Sequence, residues 1–257
     1  MREDPVRMLR AVRFAAKLDF TIDAAVVKAI KQDRPLLANV PAARLFDEFL
    51  KMFQSGNAER TFELLREHNL FGMLFPASDE DLNRDPDFLH FVQAALRNTD
   101  RRVRDDKSVT PMFLIGVFLW SPTRELATVL RAKEKMSESQ SLSVAAYELS
   151  GQQQRRIAIP RRFTVPMREM LALQPRFTQT RGKRAMKLLQ HRRFRAAYDF
   201  MMLLSEVGQF DSETAKFWTD VQSQSAEQRA ISFQINAPAK SKSRRRRRRR
   251  SKPSQPK

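Results

Sequence analysis

Four basic side chains recur at helical spacing near the N-terminus. If residues 5–18 form a helix, each residue turns the chain by about 100°, and these side chains share one arc of about 120°. They are Arg7, Arg10, Arg13 and Lys17. Cations without an interleaved carboxylate are suited to binding RNA phosphates. Charged helix faces are also common as simple solvent-exposed surface, and the spacing alone leaves both interpretations open.

The start of this helix is well marked. Asp4 is placed to cap the helix N-terminus, and Pro5 occupies the first helical position, where its missing N–H costs nothing. The arc opposite the cations is apolar and is predicted to pack on a core; it consists of Met8, Leu9, Val12, Ala15 and Ala16. One face of the helix therefore packs and the other is cationic.

A second basic stripe is predicted on a helix over residues 181–206. Its members are Arg184, Lys187, His191 and Arg195, opposite the apolar Met186, Leu189 and Phe200. Such a stripe would follow phosphates without reading bases. A solvated helix face is the alternative, and the neighbouring arginines favour RNA; they are Arg155, Arg156, Arg161 and Arg162.

Metal and catalytic chemistry has little support in the sequence. The chain has no cysteine, and its three histidines are far apart along it. Two Asp-x-Asp patterns, at residues 79–81 and 85–87, follow neither a strand nor a glycine loop, so we interpret them as loop carboxylates. We predict no catalytic residue and no metal ligand in this chain.

Positive charge is concentrated at the C-terminus. Eleven of the +19 net charges lie in residues 239–257, which contain no acid, and residues 1–238 carry the remaining +8. A segment this polar cannot bury enough apolar surface to fold, so we predict a disordered tail. The tail arginines are predicted to bind RNA: Arg244, Arg245, Arg246, Arg247, Arg248, Arg249 and Arg250.

The composition predicts an all-α fold. Leu, Ala, Arg, Lys, Glu and Gln dominate, with only 6 Gly and 2 Tyr, and alternating strand patterns are scarce. A break near residues 83–86 suggests a first helical domain at 1–76 and a second at 77–222, followed by a linker and tail at 223–257. No apolar run approaches the roughly 20 residues of a membrane span. We therefore expect a soluble, cytoplasmic and monomeric protein.

Two N-terminal motifs resemble a known family. Glu3-Asp4-x-x-Arg7, followed by x-x-Arg-x-x-Arg-Phe-Ala-Ala, is similar to the neck motif of the bacterial poly(A) polymerases and CCA-adding enzymes. Pro41-Ala-Ala-Arg44-Leu-Phe-Asp-Glu48 is similar to the helical motif that follows it. The family often has Glu before this Arg, where this chain has Ala43.

The resemblance implies roles for these residues. In the family, the Asp and Arg of the neck motif read the edge of the incoming nucleotide base, which places Asp4 and Arg7 in that role, with Glu3 orienting the Arg. A carboxylate can accept from the adenine amine and a guanidinium can donate to a ring nitrogen. Arg44 and Glu48 are implied to brace the neck.

The central and C-terminal sequence resembles the poly(A) polymerase branch rather than the CCA-adding branch. The resemblance covers residues 158–162, residues 181–200 and the arginine-rich end. It implies RNA binding by further basic residues of the body: Arg161, Arg162, Arg181, Lys183, Arg184, Lys187 and Arg195. RNA 3′ ends are the implied partner, and RNA-decay proteins a possible second class that docks on the tail.

Catalysis in this family needs a Gly-Ser loop and a metal-binding Asp pair on a sheet. No Gly-Ser pair occurs in the chain. We therefore expect the catalytic head to be missing, with ATP as substrate and Mg²⁺ bound only when that head is present. The alternatives are part of a CCA-adding enzyme, or a non-catalytic helical protein that binds RNA or serves as a scaffold.

Overall fold

A computed structural model of the chain describes residues 1–235, and these residues are helical throughout, without a strand. The all-α prediction is confirmed. The α-helices, numbered α1 to α15 in chain order, are Val6–Leu18, Ala24–Asp33, Ala42–Phe53, Ala58–Glu67, Phe71–Leu74, Pro76–Arg84, Pro86–Arg104, Pro111–Phe118, Trp120–Glu134, Glu138–Gln153, Arg161–Ala172, Gly182–Leu188, Phe194–Glu206, Ser212–Ser223 and Ala226–Ser232. Short 3₁₀ helices occupy Arg34–Asn39 and Gln174–Thr178.

Helix α1 begins at Val6, one residue later than predicted. Its apolar arc is buried as expected and packs on α3 and α4. The helix ends at Asp19, whose backbone is left-handed with φ 53°, and the N–H of Phe20 reaches back to the carbonyl of Ala15. This fixed helix holds the N-terminal motif against α3.

The single helix predicted over residues 181–206 is wrong, because two short helices, α12 and α13, replace it. The break lies at residues 189–193. Nδ1 of His191 accepts a hydrogen bond from the N–H of Arg193 at 3.1 Å, and the Glu169 carboxylate of α11 pairs with both Arg192 and Arg193. These contacts hold the segment as a turn, which a helical pattern of residue types does not reveal.

A cluster of phenylalanines joins the first half of the chain to α8. The ring centroid of Phe118 lies 5.0–6.3 Å from five other rings. They belong to Phe49, Phe53, Phe62, Phe71 and Phe75. The buried side chains form one cluster from Val6 to Phe233, so it continues across the break predicted near residues 83–86.

Residues 223–235, within the stretch predicted as a linker, contain helix α15 and a buried ring. Ser225 caps α15 with a hydrogen-bonded box to Gln228, and Phe233 is fully buried against Trp218. The N–H of Gly182 donates to the carbonyl of Phe233, which fastens this end to α12. Because α15 has only seven residues, it is too short to show a periodic apolar pattern.

No single helix within residues 1–235 is long and apolar enough to span a membrane. Helices α8 and α9 pass a test of length and composition only when counted together, and they are bent by 59° relative to each other.

A buried carboxylate from α7 caps α4. Asp100 is 8% exposed and accepts from the backbone N–H groups of Ala58 at 2.6 Å and Glu59 at 3.0 Å. Asn57, at the expected capping position, makes no such bond with its side chain. The start of α4 therefore depends on a residue that is 42 positions away from Ala58 in the chain.

Replacing Asp100 by Ala should lower the free energy of unfolding by about 2–3 kcal/mol, because buried N–H groups lose their acceptor. Urea denaturation measures this change. Asp105→Ala is the control, since Asp105 lies at the exposed end of the same helix, where its solvent-exposed ion pair with Lys107 contributes little to stability. Equal effects in the two variants would contradict the capping role.

Candidate nucleotide and RNA site

The Asp4 carboxylate is held between two helices. Its Oδ1 accepts from the N–H of Val6 at 3.2 Å, and its Oδ2 accepts from Nη2 of Arg44 on α3 at 2.8 Å. The hydrogen bond from Arg44 lowers the pKa of Asp4, so this group is an anion at neutral pH. A carboxylate has about four acceptor positions, and two remain open. The same group therefore supports the start of α1 and keeps acceptor capacity for a ligand.

Arg7 lies beside this carboxylate with most of its guanidinium exposed. Its Nη1 is 3.7 Å from Oε2 of Glu3, and its side chain is 57% exposed. The positive charge of Arg7 also contributes, as the smallest cause, to the lowered pKa of Asp4. The two side chains stand at the start of α1, with the acceptor fixed by Arg44 and the donor largely exposed.

A cleft of about 280 Å³ opens at this point. It is bounded by the N-terminal segment and by the junction of the first 3₁₀ helix with α3, and is lined by Arg2, Glu3, Asp4, Pro5, Leu36, Asn39, Val40, Pro41 and Arg44. Pockets for whole small ligands usually span about 300–1,000 Å³, so this cleft suits a base better than an entire nucleotide. The sequence interpretation did not include Arg2 and Asn39, because neither belongs to a recognised motif.

Arg13 does not belong to the exposed cationic arc that was predicted for α1. Its Nε lies 3.5 Å from Oε2 of Glu48, and its side chain is only 17% exposed. Glu48 is buried and also receives a hydrogen bond from Lys51 at 3.1 Å. The exposed members of the arc are Arg7, Arg10 and Lys17. The predicted RNA contact of Arg13 is therefore unsupported, because the buried pair occupies its guanidinium.

Two ion pairs connect α1 with α3. Arg44 contacts Asp4, and Glu48 contacts Arg13, so the two residues implied to brace the neck both reach the helix that carries the base-reading motif. Ala43, where the family often has Glu, is exposed.

The arginines at 161 and 162 lie near the first turn of α3. The N–H of Ala158 donates to the carbonyl of Ala42 at 3.0 Å, and the Phe163 ring lies 5.9 Å from that of Phe46. Arg161 and Arg162 are exposed, and the guanidinium of Arg162 stacks 4.9 Å from the Phe163 ring. These cations therefore flank the helix that carries Arg44.

The second predicted stripe is divided by the turn at 189–193. Arg181, Lys183, Arg184 and Lys187 are exposed at or on α12, while Arg195 stands on α13 and pairs with Asp199 at 3.1 Å. Burial, with the nearby charge of Arg176, lowers the pKa of His191. The stripe does not exist as a single helix face, and its members belong to two surfaces.

The first Asp-x-Asp pattern lies in helix α6, so the loop prediction is wrong for residues 79–81. The second begins at Asp85, in the break between α6 and α7, and continues into the first turn of α7. Asp79 and Asp81 belong to α6, where Asp81 is buried and pairs with Arg84. Asp85 caps α7 by accepting from the N–H groups of Asp87 and Phe88. Across residues 1–235, no group of three or more His, Asp or Glu side chains is arranged to hold a metal ion. The predicted RNA contacts of Arg244–Arg250 lie outside the described residues.

Two family models match the chain. Residues 19–82 match the model described as "Probable RNA and SrmB-binding site of polymerase A", and residues 134–252 match "Polymerase A arginine-rich C-terminus". The first model begins at the end of α1 and includes Arg44 and Glu48. The second includes the broken stripe.

Curated relatives give the same assignment. Poly(A) polymerase I of Haemophilus influenzae is 37% identical over 231 residues, which is 89% of this chain and 51% of the relative. Poly(A) polymerase I of Salmonella typhi is 38% identical over 225 residues, 86% of this chain and 48% of the relative. The CCA-adding enzyme of Limosilactobacillus reuteri is 49% identical, but over 55 residues, 21% of this chain and 14% of the relative.

The chain spans about half the length of the poly(A) polymerases it matches, and the matched half is their C-terminal part. The similarity to the CCA-adding enzyme covers a much smaller part of the chain. The chain therefore belongs to the bacterial poly(A) polymerase family and corresponds to the part of these proteins that carries the RNA-binding and arginine-rich C-terminal regions.

Proposed function

We propose that this chain is the RNA-binding and nucleotide-selecting part of a cytoplasmic polymerase that adds AMP from ATP to RNA 3′ ends. The observation that carries the proposal is the Asp4 carboxylate at the cleft, fixed by Arg44, with the exposed Arg7 three residues further along the chain. In this proposal, Mg²⁺ and the ATP phosphates are bound by the catalytic domain of the family. The residues of this chain recognise the base and bind the RNA.

Selection of adenine follows from the hydrogen-bonding groups at the cleft. The exocyclic amine of adenine can donate to the open acceptor positions of Asp4, while Arg7 donates to a ring nitrogen. Arg44 acts as a positioning residue, because it holds the Asp4 carboxylate through a hydrogen bond at 2.8 Å. Discrimination among bases needs such fixed groups, since a mobile carboxylate would adapt to several partners.

Residues 134–252 favour a poly(A) polymerase over the CCA-adding alternative. This stretch matches the arginine-rich model of polymerase A, whereas the similarity to the CCA-adding enzyme covers 21% of the chain. A purely scaffolding protein would not need a carboxylate fixed at such a cleft. A poly(A) polymerase and a CCA-adding enzyme predict different nucleotide preferences, whereas a scaffold predicts none.

Selectivity for ATP over CTP should fall by about 1–3 kcal/mol in Asp4→Ala, which is a factor of about 5–150. The measurement uses a fusion of the preceding half of Haemophilus influenzae poly(A) polymerase I to this chain, with kcat/KM for each nucleotide. Arg44→Ala should produce a smaller loss, since Asp4 remains but is less fixed.

Asp47→Ala provides the control, because Asp47 is an exposed carboxylate on α3, away from the cleft. Its selectivity should equal that of the parent fusion. If Asp4→Ala and Arg7→Ala also keep the parent selectivity, then Asp4 is only a helix cap and Arg7 only a surface charge.

A further inference from the structure

A groove of about 710 Å³ lies between the end of α7, the loop after it and α13. Its charged lining contains four arginines and two acids: Arg102, Arg192, Arg193, Arg195, Asp199 and Glu206. The side chains of Arg192 and Arg195 are 68% and 73% exposed, so their donors face solvent. We call this the arginine groove.

A second groove of about 500 Å³ lies between α10 and α11. Its lining includes Tyr147, Arg168, Glu169, Arg176 and His191. Tyr147 is 66% exposed, although large apolar rings are usually covered, and the guanidinium of Arg168 lies 4.9 Å from its ring centroid. The ring thus keeps most of its surface exposed although the arginine lies over it, which suits it to stack on a further planar group. We call this the tyrosine groove.

The two grooves meet at the turn of residues 189–193. Glu169 lines the tyrosine groove, and its carboxylate pairs with Arg192 and, at 2.9 Å, with Arg193, which line the arginine groove. His191 lies in the same turn and faces the tyrosine groove. The turn that interrupts the predicted helix therefore contributes residues to both grooves.

We propose that these two grooves form one continuous path for single-stranded RNA, which crosses the turn at 189–193 and stacks a base on Tyr147. This inference rests on the proposed function and names the surface that binds the RNA strand. The arginines provide forked donors for phosphates. The tyrosine provides a platform that accepts any base, as in proteins that bind single strands without strict sequence preference.

The acids within the arginine groove favour RNA over an acidic protein partner. Asp199 pairs with Arg195, and the charge of Glu206 repels phosphates as well as peptide carboxylates, so repulsion does not separate the two ligands. The ribose 2′-hydroxyl does, because it can donate a hydrogen bond to either carboxylate. A strand that offers phosphates and hydroxyl donors in alternation satisfies both charge types in the groove. The same acids should make the groove prefer RNA to DNA.

The test measures binding of the full chain to labelled oligoadenylate by fluorescence anisotropy across a salt series. Tyr147→Ala should weaken binding about tenfold without changing the slope against salt, and Tyr147→Phe should restore it, because stacking needs only the ring. Arg192→Ala with Arg195→Ala should flatten the slope by about 1–1.5, the contribution of two phosphate contacts on a single strand. Glu206→Gln should reduce the preference for RNA over the DNA oligonucleotide of the same sequence.

The matched control is Lys133→Ala with Lys216→Ala, which removes two exposed cations outside both grooves. The parent chain must bind oligoadenylate; if it does not, the proposed function itself fails. If the parent binds but the groove variants behave like the control, RNA is held elsewhere and the path is refuted while the proposed function stands. If the groove variants lose affinity for polyglutamate but keep affinity for RNA, the surface binds an acidic protein and the inference is also refuted.

Discussion

Glu48→Ala should destabilise the fold by about 3 kcal/mol, because it leaves the guanidinium of Arg13 in a largely buried position without its counter-charge. The two groups lie 3.5 Å apart, with 17% of the Arg13 side chain and 7% of the Glu48 side chain exposed. Removing one partner of a buried pair usually costs more than the pair contributes when intact. Urea denaturation followed by circular dichroism measures the loss.

Asp47→Ala is again the appropriate control, since it removes a neighbouring carboxylate that is exposed, and it should change stability by less than about 0.5 kcal/mol. Replacing both partners, as Arg13→Met with Glu48→Met, should recover most of the loss, because no charge then remains buried without a partner. If Glu48→Ala is as stable as Asp47→Ala, the pair does not hold α1 on α3. The positioning of Asp4 would then depend on Arg44 alone.

Removing residues 239–257 should cause the largest change in RNA affinity. The truncated chain loses eleven cations and keeps residues 1–235 with every helix described above. Each phosphate neutralised on a single strand contributes about 0.7 to the slope of log affinity against log salt. We therefore expect the slope to flatten by several units and affinity at low salt to fall by orders of magnitude, while the circular dichroism signal of the helices is retained.

A chain with Arg244–Arg250 replaced by glutamine separates charge from length. It keeps all 257 positions but loses seven cations, so its slope should lie between those of the parent and the truncated chain. An unchanged slope in both variants would mean that the basic end does not bind RNA. Docking of RNA-decay proteins would then be its better explanation.

The sequence predicted α1 well, because length and apolar spacing act together there. Its buried arc follows from that spacing, since such a helix is stabilised by one continuous apolar face. Helices α6 and α15 were missed; they have nine and seven residues, too few to show a clear apolar period. Directly after α15, the buried ring of Phe233 supplies a tertiary contact that fixes this segment.

The candidate nucleotide site was predictable from the sequence only where it depends on a local motif. Asp4 and Arg7 were identified by a local motif, and both lie at the start of α1. Ion pairs between distant helices leave no mark in local spacing, so a periodic pattern placed Arg13 among exposed cations, although Glu48 holds it. The turn at 189–193 was missed for the same reason, as Glu169 on α11 stabilises it. Both grooves depend on contacts between residues that are distant in the sequence, so local spacing did not indicate them.

The product made by the fusion with the Haemophilus influenzae catalytic half, when all four nucleotides are present, distinguishes a poly(A) polymerase from a CCA-adding enzyme. Unstructured RNA and a transfer RNA lacking its terminal CCA serve as substrates, and the added nucleotides are sequenced. We expect runs of adenosine on the unstructured RNA, with reduced selectivity for adenosine in Asp4→Ala and Arg7→Ala. Addition of CCA to the transfer RNA alone would contradict the proposed function. Adenosine runs that both variants make as selectively as the parent fusion would contradict it as well.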